Sequence, residues 1–153
     1  MSERDSKAEG ISFHPATPIL RVANLDASVR YFVGVLGFEV DWRAEGVIVS
    51  VGRGPCHIFL SEGDQGNPGA WVWIGVGDAA ALYDELLAKG AKVRQPPTNH
   101  PWALEIQVED LDGNVLRFGS DPLEGQPFGE WLDMRGARLR KAPGGGWTRV
   151  PSG

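Results

Sequence analysis

The feature that most constrains the fold is an internal repeat with an offset of about 52 residues. Each half begins with a short apolar, β-rich run, Thr17–Val22 in the first and Ala70–Val76 in the second. A segment with helical spacing follows in each half and stops at a glycine, Gly37 or Gly90. Three further β-rich runs complete each half, and the first of them in the second half is Ala91–Arg94. This order predicts a βαβββ unit that occurs twice, in an α+β fold whose curved mixed sheet has helices on one face and a concave groove on the other.

Changes in composition divide the chain into three parts. Residues 1–12 are polar and unpatterned, which predicts a mobile N-terminal arm. Residues 13–121 hold the predicted domain, with repeats at about 15–61 and 68–120. Residues 122–153 form a C-terminal extension that is punctuated by prolines and glycines.

The extension contains two tryptophans, Trp131 and Trp147, which we expect to anchor it. It also carries a cluster of basic side chains that we interpret as a solvated face or a helix end rather than as a binding site. These side chains are Arg135, Arg138, Arg140 and Lys141.

Charge and cysteine content exclude several classes of function. The net charge is −5, and residues 13–120 hold 8 basic against 13 acidic side chains, the opposite of a duplex-binding domain. No apolar run approaches the ~20 residues of a membrane span. The single cysteine, Cys56, excludes an internal disulfide. We expect a cytoplasmic protein that contacts neither nucleic acid nor a membrane directly.

Alternation along the predicted strands assigns one set of side chains to the face away from the helices. Apolar residues such as Val72 and Ile74 point toward a helix, and their neighbours point the other way. The face away from the helices is therefore a mixed aromatic and polar wall, which suits a ligand site. Its members include Phe59, Ser61, Trp71, Trp73, Glu105 and Arg117.

The chain contains six tryptophans, and the positions of three of them along the predicted strands and loops already bear on function. Trp71 and Trp73 are compatible either with core or dimer packing or with a stacking surface for flat heteroaromatic rings. Trp102 lies in a loop next to Pro101, which favours contact with a ligand or a partner.

Several short motifs between about His14 and Asp121 resemble the vicinal oxygen chelate superfamily, which includes glyoxalase I, extradiol dioxygenases and bleomycin resistance proteins. The Ala-Trp-Val-Trp-Ile segment, followed later by Pro-Trp, is most similar to the antibiotic-binding bleomycin resistance branch. The matching segments are Ala16–Leu20, Val35–Phe38, Ile58–Ser61, Ala70–Ile74, Pro101–Trp102 and Asp112–Asn114.

The resemblance implies a test for metal binding, because enzymes of this superfamily hold a divalent metal through four side chains. Aligning the two repeats places these positions at Thr17, Phe59, Trp71 and Arg117. Apart from Thr17, these side chains are unable to bind a divalent cation. We therefore expect no metal site and no cofactor.

The resemblance also implies a homodimer with exchanged N-terminal strands, in which Pro18 acts as the hinge and two grooves form at the interface. In that branch aromatic side chains stack on the drug and acidic groups meet its cationic tail; Glu62 and Asp64 join Glu105 as acidic candidates. The full set of expected ligand-binding residues is Trp42, Phe59, Ser61, Asn67, Trp71, Trp73, Trp102, Glu105 and Arg117.

Three functions remain open from the sequence. The first is a binding protein that sequesters a bleomycin-type glycopeptide antibiotic, metal-free or metal-bound, without modifying it. The second is a metal-independent enzyme of the same fold, an isomerase or lyase of a small metabolite, with Glu105 or Arg117 as its acid–base or anion-holding group. The third is a scaffold that binds another ligand or none and recruits a partner through the extension.

Overall fold

The computed structural model describes residues 10–132, 137–141 and 146–151, so most of the predicted N-terminal arm lies outside the described residues. The predicted repeat is confirmed: a strand, a helix and three strands occur twice, and three short strands follow. The elements are β1 (Ile19–Arg21), α1 (Leu25–Gly34), β2 (Glu39–Ala44), β3 (Ile48–Arg53), β4 (Cys56–Ser61), β5 (Trp71–Gly75), α2 (Ala79–Ala88), β6 (Lys92–Asn99), β7 (Leu104–Glu109), β8 (Val115–Ser120), β9 (Glu130–Leu132), β10 (Arg138–Lys141) and β11 (Trp147–Arg149).

Each repeat forms its own four-stranded mixed sheet. The strand orders are β1-β4-β3-β2 and β5-β8-β7-β6. The first strand of each repeat runs parallel to the fourth, so that Ile19 lies beside Phe59 and Trp73 lies beside Arg117. The other pairs are antiparallel.

The two helices begin where the sequence places capping residues. The Asn24 side chain accepts a hydrogen bond from the backbone N–H of Ala27 at 2.9 Å, and the Asp78 side chain does the same for Ala81 at 3.0 Å. Gly37, which follows α1, has a φ of 77°, a conformation that glycine adopts at little cost. Neither described helix is long and apolar enough to cross a membrane.

The two repeats share one hydrophobic core, which contains buried side chains from both sheets and both helices. Polar contacts also join the repeats. The Tyr31 hydroxyl donates to the Glu109 carbonyl oxygen at 2.9 Å, and the Arg53 guanidinium donates twice to the Glu85 carboxylate at 2.7 and 2.9 Å. Because the helix-bearing faces meet in this core, the opposite face of each sheet is left open.

Two sequence expectations need correction. β6 was expected over Ala91–Arg94 but runs from Lys92 to Asn99. Its pairing with β7 shifts register between Val93 and Gln95 and again between Gln95 and Thr98, where Pro96 and Pro97 have no N–H to donate. Arg138, Arg140 and Lys141 do not lie at a helix end; they belong to β10, the middle strand of a three-stranded sheet. Arg135 lies outside the described residues.

The first strand pairs within its own chain. Pro18 directly precedes β1, and its carbonyl oxygen accepts a hydrogen bond from the Phe59 N–H at 3.0 Å. Exchange of this strand between two chains, and the homodimer itself, stay predictions.

Candidate ligand-binding face

The candidate site is the face of the second sheet that points away from the helices. Trp71 and Trp73 in β5 are 51% and 53% exposed on this face, whereas Val72 and Ile74 pack against the core. Alternation along β5 therefore assigned the faces correctly. Trp102, in the loop before β7, is 63% exposed.

A single carboxylate lies at the centre of this face and binds three side chains. Glu105 is completely buried, and its Oε2 accepts hydrogen bonds from the indole Nε1 of Trp73 at 2.8 Å and of Trp102 at 3.0 Å. Its Oε1 accepts a hydrogen bond from Arg117 Nη2 at 2.5 Å. The His100 ring lies nearby, with Nε2 3.9 Å from the same oxygen. Two tryptophans are thus oriented by one buried acceptor.

Opposing effects act on this carboxylate. Burial raises the pKa of Glu105, but the hydrogen bonds from Arg117, Trp73 and Trp102 together outweigh burial, so the pKa is lowered. Glu105 is therefore ionised at neutral pH, and Arg117 compensates its charge. No acceptor in the described part of the chain reaches the buried Nε of Arg117.

Two glycines, Gly75 and Gly119, leave room for the Trp73 indole to pack against the sheet. A Cβ at Gly119 would lie 2.5 Å from Cζ2 of Trp73, and one at Gly75 would lie 3.3 Å from Cζ3. Both distances are too short for a methyl group beside a ring that keeps its position. The indole consequently lies directly over the backbone of β5 and β8.

Two side chains that the sequence reasoning missed complete the face. His100 stacks on Trp102 with ring centroids 4.7 Å apart and an interplanar angle of 3°. The Arg94 guanidinium lies 5.0 Å from the centroid of the Trp71 ring and donates to Gln107 Oε1 at 3.1 Å. The sequence placed Arg94 in a predicted strand, but nothing in the pattern indicated that its guanidinium lies over Trp71.

Three of the expected residues, Trp42, Phe59 and Ser61, lie on the other sheet. Trp42 and Phe59 pack edge to face with ring centroids 5.2 Å apart. Residues of the first sheet lie in one row across the strands in the order Ile19, Phe59, Ser50 and Trp42. Ile19 and Trp42 are 37% and 46% exposed, so this face is also open and partly aromatic.

Ser61 and Asn67 join neither cluster. Ser61 is buried, and its Oγ accepts a hydrogen bond from the Gly63 N–H at 3.3 Å, whereas Asn67 lies exposed in the loop between β4 and β5. Glu62 caps the start of α1, where its Oε2 accepts from the Leu25 N–H at 2.7 Å.

The expected direct contact between acidic groups and a cationic ligand needs correction for Glu105. This side chain has no exposed surface, because the carboxylate lies beneath the indoles that it binds. Asp64 is exposed in the loop after β4.

The predicted metal positions shift by two residues in the first strand of each repeat. Ile19, rather than Thr17, lies beside Phe59, and Trp73, rather than Trp71, lies beside Arg117. Isoleucine, phenylalanine, tryptophan and arginine offer no ligand to a divalent cation, so these residues do not fit the metal of the superfamily's enzymes. Within the described ranges, no three His, Cys, Asp or Glu residues come together as a metal-binding group.

Comparisons with known proteins place the chain in a family. A bleomycin-binding protein from bleomycin-producing Streptomyces verticillus, solved with copper(II)-bleomycin, is 27% identical over 72% of this chain and 98% of its own, with a TM-score of 0.62. Two further structures share the fold. TnmS3, an antibiotic-binding protein from Streptomyces sp. CB03234, is 20% identical over 74% of this chain and 99% of its own, with a TM-score of 0.64. TioX from Micromonospora sp. ML1 is 21% identical over 70% and 98%, with a TM-score of 0.61.

A match to a whole protein family, rather than to a single protein, shows to which superfamily the chain belongs. No curated protein matches the chain significantly. Residues 12–118, about 70% of the chain, match the family described as the glyoxalase/bleomycin resistance protein/dioxygenase superfamily. The chain belongs to this superfamily.

Proposed function

We propose that the protein binds and sequesters bleomycin-type glycopeptide antibiotics without modifying them, in grooves between two copies of the chain. The observation that carries the proposal is the pair of indoles, Trp73 and Trp102, whose N–H groups share the buried Glu105 carboxylate while their rings remain more than half exposed.

An aromatic platform of this kind favours flat, conjugated ligands. Stacking of two aromatic rings contributes about 0.5–1.5 kcal/mol beyond the burial of apolar area. Because Glu105 and Gly119 already fix Trp73, and Glu105 and His100 already fix Trp102, little side-chain entropy is lost when a ligand binds.

The electrostatics of Glu105 favour binding over catalysis. A general base needs a free lone pair within reach of the substrate and a pKa near the working pH. Glu105 has no exposed surface, its oxygens accept three hydrogen bonds, and its pKa is lowered. These properties suit a residue that positions the tryptophans and argue against the alternative in which Glu105 transfers a proton.

The two open sheet faces support a site that needs two chains. The face with Trp42 and Phe59 and the face with Trp73 and Trp102 lie on different sheets, each on the side away from the shared core. In a homodimer the first face of one copy would lie opposite the second face of the other and close a groove. The similarity to a bleomycin-binding protein supports the choice of ligand.

The experiment is a calorimetric titration with metal-free and with copper-loaded bleomycin, followed in parallel by tryptophan fluorescence. We expect about one drug per chain, bound with a Kd below ~1 μM and recovered intact by mass spectrometry. Trp102→Ala should weaken binding at least about tenfold, which corresponds to 1.4 kcal/mol. Trp147→Phe, which changes a tryptophan of the C-terminal extension, is the control and should bind as the unaltered protein does.

Three outcomes would refute the proposal. The first is no heat and no quenching at ~100 μM drug, which leaves less than about 5.5 kcal/mol of affinity. The second is tight binding that Trp102→Ala leaves unchanged. The third is chemical conversion of the drug, which would favour the enzymatic alternative.

A further inference from the structure

A cavity of about 740 Å³ lies on the other side of the second sheet, between α2 and the C-terminal extension. Leu104 lines the cavity, whereas the next residue, Glu105, belongs to the face of the second sheet that carries Trp73 and Trp102, called the tryptophan face below. The sheet therefore separates the cavity from the tryptophan face. Tyr83 and Leu87 from α2 form one wall, and Leu123 and Pro127 from the extension form another.

The extension is held over this cavity by one buried side chain. Asn99 at the end of β6 is 1% exposed, and its amide donates to the carbonyl oxygens of Leu123 at 3.0 Å and Gln126 at 3.3 Å. Its Oδ1 accepts from the Leu123 N–H at 2.8 Å, and its own carbonyl accepts from the Gly129 N–H at 2.7 Å. The wall is thus built by specific hydrogen bonds, and it lies after the residues 12–118 that match the superfamily.

Glu130, in the wall of the cavity, has one carboxylate oxygen that accepts no hydrogen bond from the described residues. The Glu130 side chain is only 6% exposed, and its Oε1 accepts from Arg140 Nη2 at 2.5 Å. Its Oε2 is buried and accepts no hydrogen bond from the residues that the structure describes; Arg138 Nη1 lies 4.0 Å away. A buried acceptor without a donor costs free energy that a bound donor would recover.

The charges around the cavity limit what it accepts. Asp84 and Glu130 in its lining are balanced by Arg138, also in the lining, and by Arg140 on Glu130. A ligand with a full charge would therefore lose hydration without an uncompensated partner to replace it. The volume lies within the ~300–1,000 Å³ that small-molecule sites occupy.

We propose that this cavity is a second ligand site, for an uncharged and largely apolar small molecule that carries an N–H or O–H donor for Glu130 Oε2. The site is independent of the tryptophan face and of any antibiotic bound there. Its apolar wall supplies most of the contact area, and Glu130 selects for the donor.

The test uses N-phenyl-1-naphthylamine, an uncharged aromatic amine with one N–H whose fluorescence rises in apolar surroundings. We expect saturable binding to the full chain. Ala88→Phe places a ring in the cavity from an exposed position on α2 and should weaken binding at least tenfold. Ala44→Phe, at an exposed position of β2, is the matched control and should leave binding unchanged.

The two sites can fail separately. Trp102→Ala should weaken bleomycin binding and leave the amine bound, whereas Ala88→Phe should do the reverse. Absence of saturable amine binding would overturn the inference, as would binding that Ala88→Phe leaves unchanged or that Trp102→Ala removes. Glu130→Gln, which keeps the size of the side chain, should weaken the amine more than it weakens naphthalene, which has no donor; equal effects would overturn the role of Glu130.

Discussion

Replacing Glu105 by glutamine tests whether its carboxylate holds Trp73, Trp102 and Arg117 in place. The glutamate accepts from Trp73 and Trp102 on one oxygen and from Arg117 on the other. Glutamine has one acceptor oxygen and one NH₂ group. If the amide oxygen accepts from the two indoles, the NH₂ group faces an N–H donor of Arg117. If the amide is rotated by 180°, the NH₂ group faces the two indole N–H donors instead.

The expected magnitude follows from the bonds that are lost. Hydrogen bonds to a charged group contribute about 1.5–3 kcal/mol each and those between neutral groups about 0.5–1.5 kcal/mol. In the first orientation one charged bond is lost and two are weakened, but Arg117 is 32% exposed and regains water in part. We expect Glu105→Gln to lower the free energy of unfolding by about 2–4 kcal/mol, at the lower side of what breaking a buried ion pair costs.

The pH dependence gives a second measurement with a definite sign. Because the folded-state pKa of Glu105 lies below its ordinary value of 4.5, the glutamate stabilises the fold above about pH 4.5. This contribution is lost as the pH falls through the lowered pKa. The gap in stability between the unaltered protein and Glu105→Gln should therefore be full at pH 7 and should shrink toward pH 3.

Urea unfolding followed by far-ultraviolet circular dichroism at pH 7, 5 and 3 measures both effects. Glu109→Gln is the matched control, since Glu109 lies on the same strand and pairs with the exposed Lys92 and Arg94. We expect a much smaller loss for this control, as is typical of surface pairs. A Glu105→Gln protein within 0.5 kcal/mol of the unaltered one at pH 7, or a gap that stays constant to pH 3, would refute the reasoning.

Two further substitutions test the seat of Trp73 and the attachment of the extension. Gly119→Ala should displace the Trp73 indole, lower the free energy of unfolding by about 1–3 kcal/mol and reduce the near-ultraviolet circular dichroism of tryptophan. The control is Gly77→Ala, where a Cβ meets nothing within 4 Å, and it should change neither the stability nor the tryptophan signal. An unchanged tryptophan signal in Gly119→Ala would contradict this geometry. Asn99→Ala should lower the free energy of unfolding by about 1–3 kcal/mol, because three side-chain hydrogen bonds to Leu123 and Gln126 are lost. It should also expose the extension to limited proteolysis after residue 121. A cleavage pattern identical to that of the unaltered protein would contradict the attachment of the extension by Asn99.

The repeated unit was predictable because its signals are local. Asn24 and Asp78 cap the helices, and Gly37 follows the first helix with a positive φ. The register between β1 and β4 was not predictable to better than two residues, since nothing in a three-residue strand distinguishes Ile19 from Thr17 as the neighbour of Phe59. The strands of the C-terminal extension were not predicted for a similar reason, since segments of three or four residues carry too few alternations to be recognised.

The sequence predicted on which side of the sheet the site residues lie, but not how deeply Glu105 is buried. Alternation placed Trp73, Glu105 and Arg117 on one side of the sheet, and the structure joins them by hydrogen bonds. Alternation does not show that Glu105 lies beneath the indoles, because that depends on how the loop before β7 carries Trp102 back over the strand.

The burial of Glu105 beneath the indoles bears on how the net charge of −5 relates to the tryptophan face. Glu105 is compensated by Arg117, and Glu109 by Lys92 at 2.6 Å and by Arg94 at 3.4 Å. The acidic side chains of this face are therefore already paired within the chain. In the proposed function this face offers a ligand ring surface held at fixed angles, so we expect stacking geometry, rather than attraction between opposite charges, to decide which molecules bind there.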